Sequence, residues 1–168
     1  MEYYYKYKTP EEFDDITLVS DGEYLTGLFF DNSEVNSTTL SIFDDACRWL
    51  DINFSGKQPN FTVIKKLSSK SFFRIDIWRR LEFIGYGKTV TYGDIAKTIA
   101  IERGIKKMSA QAVGNAVGAN PICIMVPCHR VIGANGNLTG YGGGLKNKIA
   151  LLKLEGNDIS KYHLPKER

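Results

Sequence analysis

Residues 120–131 read Asn-Pro-Ile-Cys-Ile-Met-Val-Pro-Cys-His-Arg-Val, and the rest of the chain is organised around them. The apolar, β-prone residues before Pro127 predict an extended segment, because proline fixes its own φ and favours an extended residue ahead of it. Cys128 then stands at a rigid chain reversal beside His129 and Arg130. A cysteine next to such groups can form the thiolate, which is the nucleophilic species. Free cysteines are also commonly small buried hydrophobic residues, and the local sequence leaves both interpretations open.

Length and composition indicate one domain or two small ones. The 168 residues are 43% hydrophobic and 24% charged, which is ordinary for a soluble globular chain. No apolar run approaches the roughly 20 residues of a membrane span, and the N-terminus has no signal-peptide pattern. We therefore expect a cytoplasmic protein without a membrane partner. Three cysteines without an export signal argue against a disulfide framework.

The net charge of +3 conceals an asymmetry between the two parts of the chain. Residues 1–70 have 7 basic and 12 acidic side chains, whereas residues 71–168 have 15 basic and 7 acidic ones. A polyanion would accordingly meet the second part. A basic surface that is merely solvated is the alternative.

The first 70 residues predict a scaffold domain without evident chemistry. Segments 3–8, 16–19 and 24–30 have strand character, and an Asp-Gly turn signal precedes the third, so we predict an antiparallel meander. Residues 39–53 have the spacing of an amphipathic helix, with apolar side chains at Ile42, Phe43, Ala46, Trp49 and Leu50. Cys47 lies beside this stripe and is interpreted as structural.

The remaining residues, 71–168, predict a second domain that is mostly helical. Ser71 is suited to cap a helix that Gly85 ends. Thr91 and Asp94 have the spacing of a capping box, which predicts the start of the next helix.

A short helix of small residues is predicted at 109–118. Lys106 and Lys107 precede it, and Gly104 separates it from the helix before. Two helices joined in this way are typical of a helix-turn-helix, although small residues serve close helix packing equally well. The basic character of this part of the chain favours nucleic acid.

Glu155 is placed where a carboxylate is unfavourable. The pattern predicts a helix over residues 145–155 that Gly156 ends, and a negative charge at a helix C-terminus opposes the helix dipole. This suggests a role elsewhere, such as orienting His129, because a histidine base needs a partner on its other nitrogen. A solvated surface glutamate is the alternative.

The sequence predicts neither a metal site nor a cofactor. Cys123 precedes Cys128 by five residues, and in an extended segment an odd spacing places two side chains on opposite faces. Cys47 and His163 have no ligand-like spacing to either. The sequence also has no Gly-rich phosphate loop and no dinucleotide fingerprint.

Three motifs together carry a resemblance to a known family. Pro-Cys-His-Arg-Val at 127–131, Asn-Pro at 120–121 and Tyr-Gly-Gly-Gly-Leu at 141–145 closely resemble the active-site signature of the O6-alkylguanine-DNA alkyltransferases, or methylated-DNA–protein-cysteine methyltransferases. The resemblance covers about residues 71–156. It implies an α+β fold: an N-terminal α/β domain, ribonuclease-H-like with an antiparallel sheet, and a mostly helical, winged-helix-like C-terminal domain carrying the helix-turn-helix.

The resemblance also implies the chemistry. Cys128 would be the nucleophile and methyl acceptor, His129 its base through a water molecule, and Glu155 the residue that orients His129. Asn120 would support the hinge before the active-site segment, and Tyr92 would donate a proton to the leaving guanine. The implied reaction is a single-turnover, irreversible transfer from O6-alkylguanine, with O4-alkylthymine as a further candidate substrate.

The implied partner is duplex DNA, bound in the minor groove by a monomer with the alkylated base flipped out. No cofactor or protein partner is implied. The residues expected to contact the base are Val117, Val131, Tyr141, Gly142 and Gly143. The residues expected to contact DNA are Gln111, Ala112, Gly114, Asn115, Gly118 and Arg130.

The sequence departs from the family pattern at Gln111, where an arginine is frequent. Glutamine fills space but brings no charge, so we expect weaker duplex binding or base flipping. The pocket rim also has Cys123 in place of a frequent proline. Two other functions are alternatives. One is a Cys-His thiol hydrolase, which would turn over. The other is a non-catalytic sensor of alkylated bases, but such sensors have another residue in place of the cysteine, and Cys128 is intact here.

Overall fold

The computed structural model describes residues 1–138 and 141–164, which form a mixed α/β chain with a small antiparallel sheet and five α-helices. Its elements are β1 (Tyr3–Tyr7), β2 (Ile16–Ser20), β3 (Leu25–Phe30), α1 (Ser41–Phe54), α2 (Phe72–Leu81), β4 (Val90–Thr91), α3 (Tyr92–Arg103), α4 (Ala110–Gly118), β5 (Val131–Ile132) and α5 (Leu145–Leu154). Short 3₁₀ turns lie at Cys128–Arg130, Ala134–Gly136 and Ile159–Lys161.

The chain divides into two compact units. One contains residues 1–68 together with 121–123, and the other contains residues 69–120 and the described residues from 124 onward. No helix in the part of the chain that the structure describes is long and apolar enough to cross a membrane.

The first unit is the predicted meander with one helix. β1, β2 and β3 pair antiparallel in that order, and every residue of β2 is buried. The buried face of α1 has the predicted spacing and is formed by Ile42, Phe43, Ala46 and Leu50. Each large apolar side chain buried in this way contributes roughly 1.5–3 kcal/mol relative to leaving it in water. Residues 121–123 lie against β3, since the Leu28 amide donates to the Pro121 carbonyl and the Cys123 amide to the Leu28 carbonyl, both at 2.9 Å.

In the second unit, local capping signals start the helices where the sequence predicts. The Ser71 hydroxyl accepts the Arg74 amide, and Thr91 and Asp94 form the reciprocal capping box of α3. Helix α2 nevertheless ends at Leu81 rather than at Gly85. The three residues in between, 82–84, leave the helix, and the Ile84 carbonyl serves the site described below.

The predicted extended segment before Pro127 is wrong beyond its first residues. Ile122 makes one isolated bridge to Leu28, and the chain then turns through residues 123–125. Ile124 has φ 70°, in the left-handed region, which costs a non-glycine residue roughly 1–2 kcal/mol. The Asn120 side-chain amide donates to the Val126 carbonyl at 2.8 Å and closes this loop. An apolar run does not distinguish a buried turn from a strand, so the argument that opposite strand faces separate Cys123 from Cys128 no longer applies.

Candidate active site

Cys128 begins a 3₁₀ turn directly after Pro127 and is buried, with 2% of its surface exposed. The turn leads into β5, which pairs parallel with β4 so that Val90 lies opposite Val131. Because β4 runs directly into α3, this pairing brings Tyr92, the first residue of that helix, to the strand pair that follows the Cys128 turn.

The histidine after the cysteine is paired with the predicted glutamate. His129 Nε2 lies 2.6 Å from Glu155 Oε2, and the imidazole is fully buried. Burial favours an uncharged Glu155, but hydrogen bonds and charge from His129 and Arg130 outweigh it and lower the carboxyl pKa to about 2. The ionised carboxylate can only accept, so Nε2 carries the proton. Among the described residues His129 Nδ1 has no hydrogen-bond partner.

Glu155 occupies the helix end predicted for it. It is the C-cap of α5, and Gly156 follows with φ 89°. The C-terminus of α5 is an unfavourable place for the Glu155 carboxylate, and two further hydrogen-bond donors besides His129 offset this cost. Arg130 Nε donates to Glu155 Oε1 at 2.6 Å and the Gly87 amide donates to the same oxygen at 3.2 Å.

The guanidinium of Arg130 is turned into the protein. Its guanidinium pairs with Glu155, its Nη1 donates to the Ile84 carbonyl at 2.7 Å, and its central carbon lies 5.6 Å from the centre of the Tyr86 ring. The residue is only 8% exposed. The donors of Arg130 are turned to protein acceptors, which does not favour the predicted contact of this residue with DNA.

Lys148 is a site residue that sequence reasoning missed. It is fully buried on α5, and its Nζ donates to the Val131 carbonyl at 2.7 Å. The Tyr92 and Tyr141 rings lie 5.8 Å from the ammonium, and burial lowers its pKa to about 8. A signal was present, since Lys148 lies three and four residues before buried leucines and therefore on the apolar face of its helix.

Three of the predicted DNA contacts on α4, Gln111, Gly114 and Asn115, share one cavity with Tyr92. It has a volume of about 500 Å³ and is lined by Thr91, Tyr92, Gly93, Ala110, Gln111, Gly114, Asn115 and Ala134. The helix approaches the tyrosine closely, since a Cβ at Gly114 would lie 3.6 Å from the Tyr92 ring. Gln111 and Asn115 are exposed, while Ala112 is half-buried.

Two of the predicted base-contact residues, Val117 and Gly142, lie in or against the last turn of α4. Val117 is buried, and a Cβ at Gly142 would lie 3.1 Å from the Gly118 carbonyl. Gly143 is buried, and its carbonyl accepts from the Asn147 side chain at 2.6 Å. The 141–144 turn is thus held against α4 on one side and tied to α5 on the other.

The family model described as 6-O-methylguanine DNA methyltransferase, DNA binding domain, matches residues 72–157. The chain belongs to this family. Within the described residues, no three His, Cys, Asp or Glu side chains are grouped as metal ligands.

Relatives of the methyltransferase family match over most of the chain. A methylated-DNA–protein-cysteine methyltransferase of Methanosarcina acetivorans is 48% identical over 68% of this chain and 70% of its own length. The Mycobacterium bovis protein of the same name is 42% identical, and the match covers 83% of this chain and 85% of that protein. The inducible Bacillus subtilis protein is 46% identical over 66% of this chain but only 58% of itself.

Solved structures of the family have the same fold. The crystal structure of Mycobacterium tuberculosis O6-methylguanine methyltransferase superimposes with a TM-score of 0.77 at 37% identity, over 97% of this chain and 96% of that one. The Mycobacterium tuberculosis OGT structure in complex with DNA gives a TM-score of 0.72 at 38% identity, and the match covers 96% of this chain and 94% of that one.

Proposed function

We propose that this chain repairs DNA by direct reversal, moving the alkyl group of an O6-alkylguanine in duplex DNA to Cys128. One observation carries the proposal: a buried cysteine is followed by a buried histidine whose Nε2 is held 2.6 Å from a buried carboxylate. Family membership states the substrate class that this site serves.

The proposed reaction needs only a thiolate, a proton and correct placement. His129 accepts the Cys128 proton at Nδ1 through a water molecule, because adjacent side chains in a turn seldom face each other. The sulfur attacks the alkyl carbon, the S–C bond forms and the C–O6 bond breaks. Tyr92 gives a proton to the departing base, so guanine leaves neutral, and the Cys128 proton replaces the one that Tyr92 gave. The thioether is not reversed, and each molecule acts once.

The target oxygen lies inside the base stack, so the reaction requires the nucleotide to be flipped out, at a cost of a few kcal/mol. We assign α4 to the minor groove, since its small residues and the neighbouring cavity suit close approach to a duplex. Lys148 would then hold the Val131 carbonyl in place for the exocyclic amine of the flipped guanine. The ribonuclease-H-like and winged-helix-like descriptions, the two-domain division, the monomeric state and the cytoplasmic location stay predictions.

The proposal is tested by mass spectrometry of the protein after incubation with duplex DNA containing O6-methylguanine. We expect one added CH₂ per molecule, confined to the peptide that contains Cys128, with no further increase when DNA is in excess. Bound DNA without added mass would instead identify a damage sensor, and repeated turnover would identify a hydrolase.

Gln111→Arg is expected to tighten binding to duplex DNA. The added charge at this exposed position of α4 should steepen the dependence of log K on log salt by roughly 0.9, the contribution of one phosphate contact. Gln58→Arg is the matched control, because it adds the same charge at an exposed position of the first unit. Equal slopes for both variants would mean that Gln111 does not face DNA.

A further inference from the structure

The Glu155 carboxylate contacts two basic side chains, one at each oxygen. His129 Nε2 lies 2.6 Å from Oε2, and Arg130 Nε donates to Oε1 at 2.6 Å. The carboxylate side chain is 2% exposed and the imidazole fully buried. The proposed reaction uses the contact between His129 and Glu155, but it gives no role to the contact between Arg130 and Glu155.

The arginine affects which of the other two groups holds the proton. A buried carboxylate whose only partner is a histidine is an uncompensated charge, and it favours a protonated imidazole beside it. An imidazolium has no lone pair and cannot act as a base. Arginine is always charged at physiological pH, so its contact with Glu155 balances the carboxylate without a proton on the histidine.

Burial and Lys148 act on the pKa of His129 in the same direction as Arg130, and Glu155 acts against them. Burial is the largest influence and lowers the pKa of His129, Glu155 opposes it, and the charges of Arg130 and Lys148 lower it further. Lys148 reaches the site from α5, and Glu155 from the end of the same helix. Since a neutral histidine contributes no charge, Arg130 is the cation in contact with Glu155.

We infer that Arg130 is a positioning residue for alkyl transfer: it balances Glu155 so that His129 remains a neutral base with its proton on Nε2. The inference rests on the proposed role of His129. The contacts of Arg130 with Ile84, and of Glu155 with Gly87, fix both partners to the segment that follows α2. The early end of α2 thereby contributes to the base, because it leaves the Ile84 carbonyl for the bond from Arg130.

The test is the protonation state of His129, read by nitrogen-15 NMR of the histidine side chains without DNA. The chain has two histidines, so His163→Gln assigns both signals. In the wild-type protein we expect His129 to be neutral with Nε2 protonated and not to titrate between about pH 5.5 and 8, around the ordinary histidine value.

Two variants separate charge from hydrogen bonding. Arg130→Gln keeps a donor near Glu155 but removes the charge, and we expect the proton affinity of His129 to rise at least about tenfold, one pH unit. Arg130→Lys keeps the charge, and we expect His129 to stay neutral. Arg130→Met, with an apolar chain of similar length, replaces the glutamine variant if that one does not fold.

The transfer rate gives a second readout that a structural role would not produce. In Arg130→Gln the single-turnover rate relative to wild type should fall at least about twofold more at pH 5.5 than at pH 8.5, because half or more of His129 is then protonated at the lower pH. A uniform loss at every pH, an unchanged His129 titration, or an imidazolium in the wild-type protein at pH 7 would overturn the inference. The NMR result does not depend on alkyl transfer, so its failure is distinguishable from failure of the proposed repair reaction.

Discussion

Cys128→Ser is expected to abolish alkyl uptake while DNA binding is retained. A serine hydroxyl is a far weaker nucleophile than a thiolate at neutral pH, and removal of a nucleophile that acts with its base as a unit costs several orders of magnitude in rate. Binding should persist because the proposed DNA contacts lie on α4, and Cys128 is buried. The measurements are the single-turnover transfer rate and an equilibrium binding curve with O6-methylguanine DNA at one salt concentration.

Cys47→Ser is the matched control for this prediction. Cys47 is half-buried on α1, where burial, followed by the charges of Asp51 and Asp44, raises the pKa of its thiol to about 11. Such a thiol stays protonated at neutral pH and is a poor nucleophile. The control variant should accept the alkyl group at the wild-type rate. Undiminished uptake by Cys128→Ser would exclude Cys128 as the acceptor.

Glu155→Gln is expected to reduce both stability and alkyl transfer. The substitution leaves the buried Arg130 guanidinium without its counter-charge, which costs on the order of 3–5 kcal/mol when one partner of a buried pair is removed. For a chain of this size the corresponding fall in Tm is roughly 10 °C. We expect the transfer rate to fall by up to roughly 10²-fold, within the usual contribution of a general base.

The pH dependence of the free energy of unfolding distinguishes loss of the Glu155 charge from a loss of packing at this position. The folded-state pKa of Glu155, about 2, lies below the ordinary value of 4.5, so its contribution to stability is complete above pH 4.5 and is lost as pH falls toward 2. The shift corresponds to roughly 3 kcal/mol in the wild-type protein, and this part of the acid destabilisation should be absent from Glu155→Gln. Denaturant unfolding at pH 7 and pH 3 should show about 2 kcal/mol of this loss, since the folded-state pKa lies below pH 3.

Glu102→Gln serves as the control for the stability prediction. Glu102 is paired with Arg80, but it is exposed to solvent, and exposed ion pairs contribute little. Its Tm should remain close to that of the wild-type protein. A similar loss in both variants would contradict the assignment of a special role to the buried pair.

The sequence by itself determined the features that depend on near neighbours. Ser71 and the Thr91–Asp94 box start α2 and α3 because a cap needs only a side chain within three residues of its amide. The strand meander and α1 follow from hydrophobic periodicity in the same way. The family motif around Cys128, together with Glu-Gly at the end of α5, was sufficient to predict the pairing of His129 with Glu155.

Only the tertiary structure decided the remainder of the site. Arg130, Gly87 and Lys148 acquire their places through contacts with residues 17 to 68 positions away, which leave no periodic pattern along the chain. Arg130 resembles a surface cation until the fold places Glu155 beside it. The turn at Ile124 was also invisible, because its strained backbone is maintained by distant packing and by the Asn120 bond rather than by turn residues. Local chemistry therefore specified the helix starts and the proposed nucleophile, and burial of charges from distant segments specified the partners of Glu155 and the support of the Val131 carbonyl.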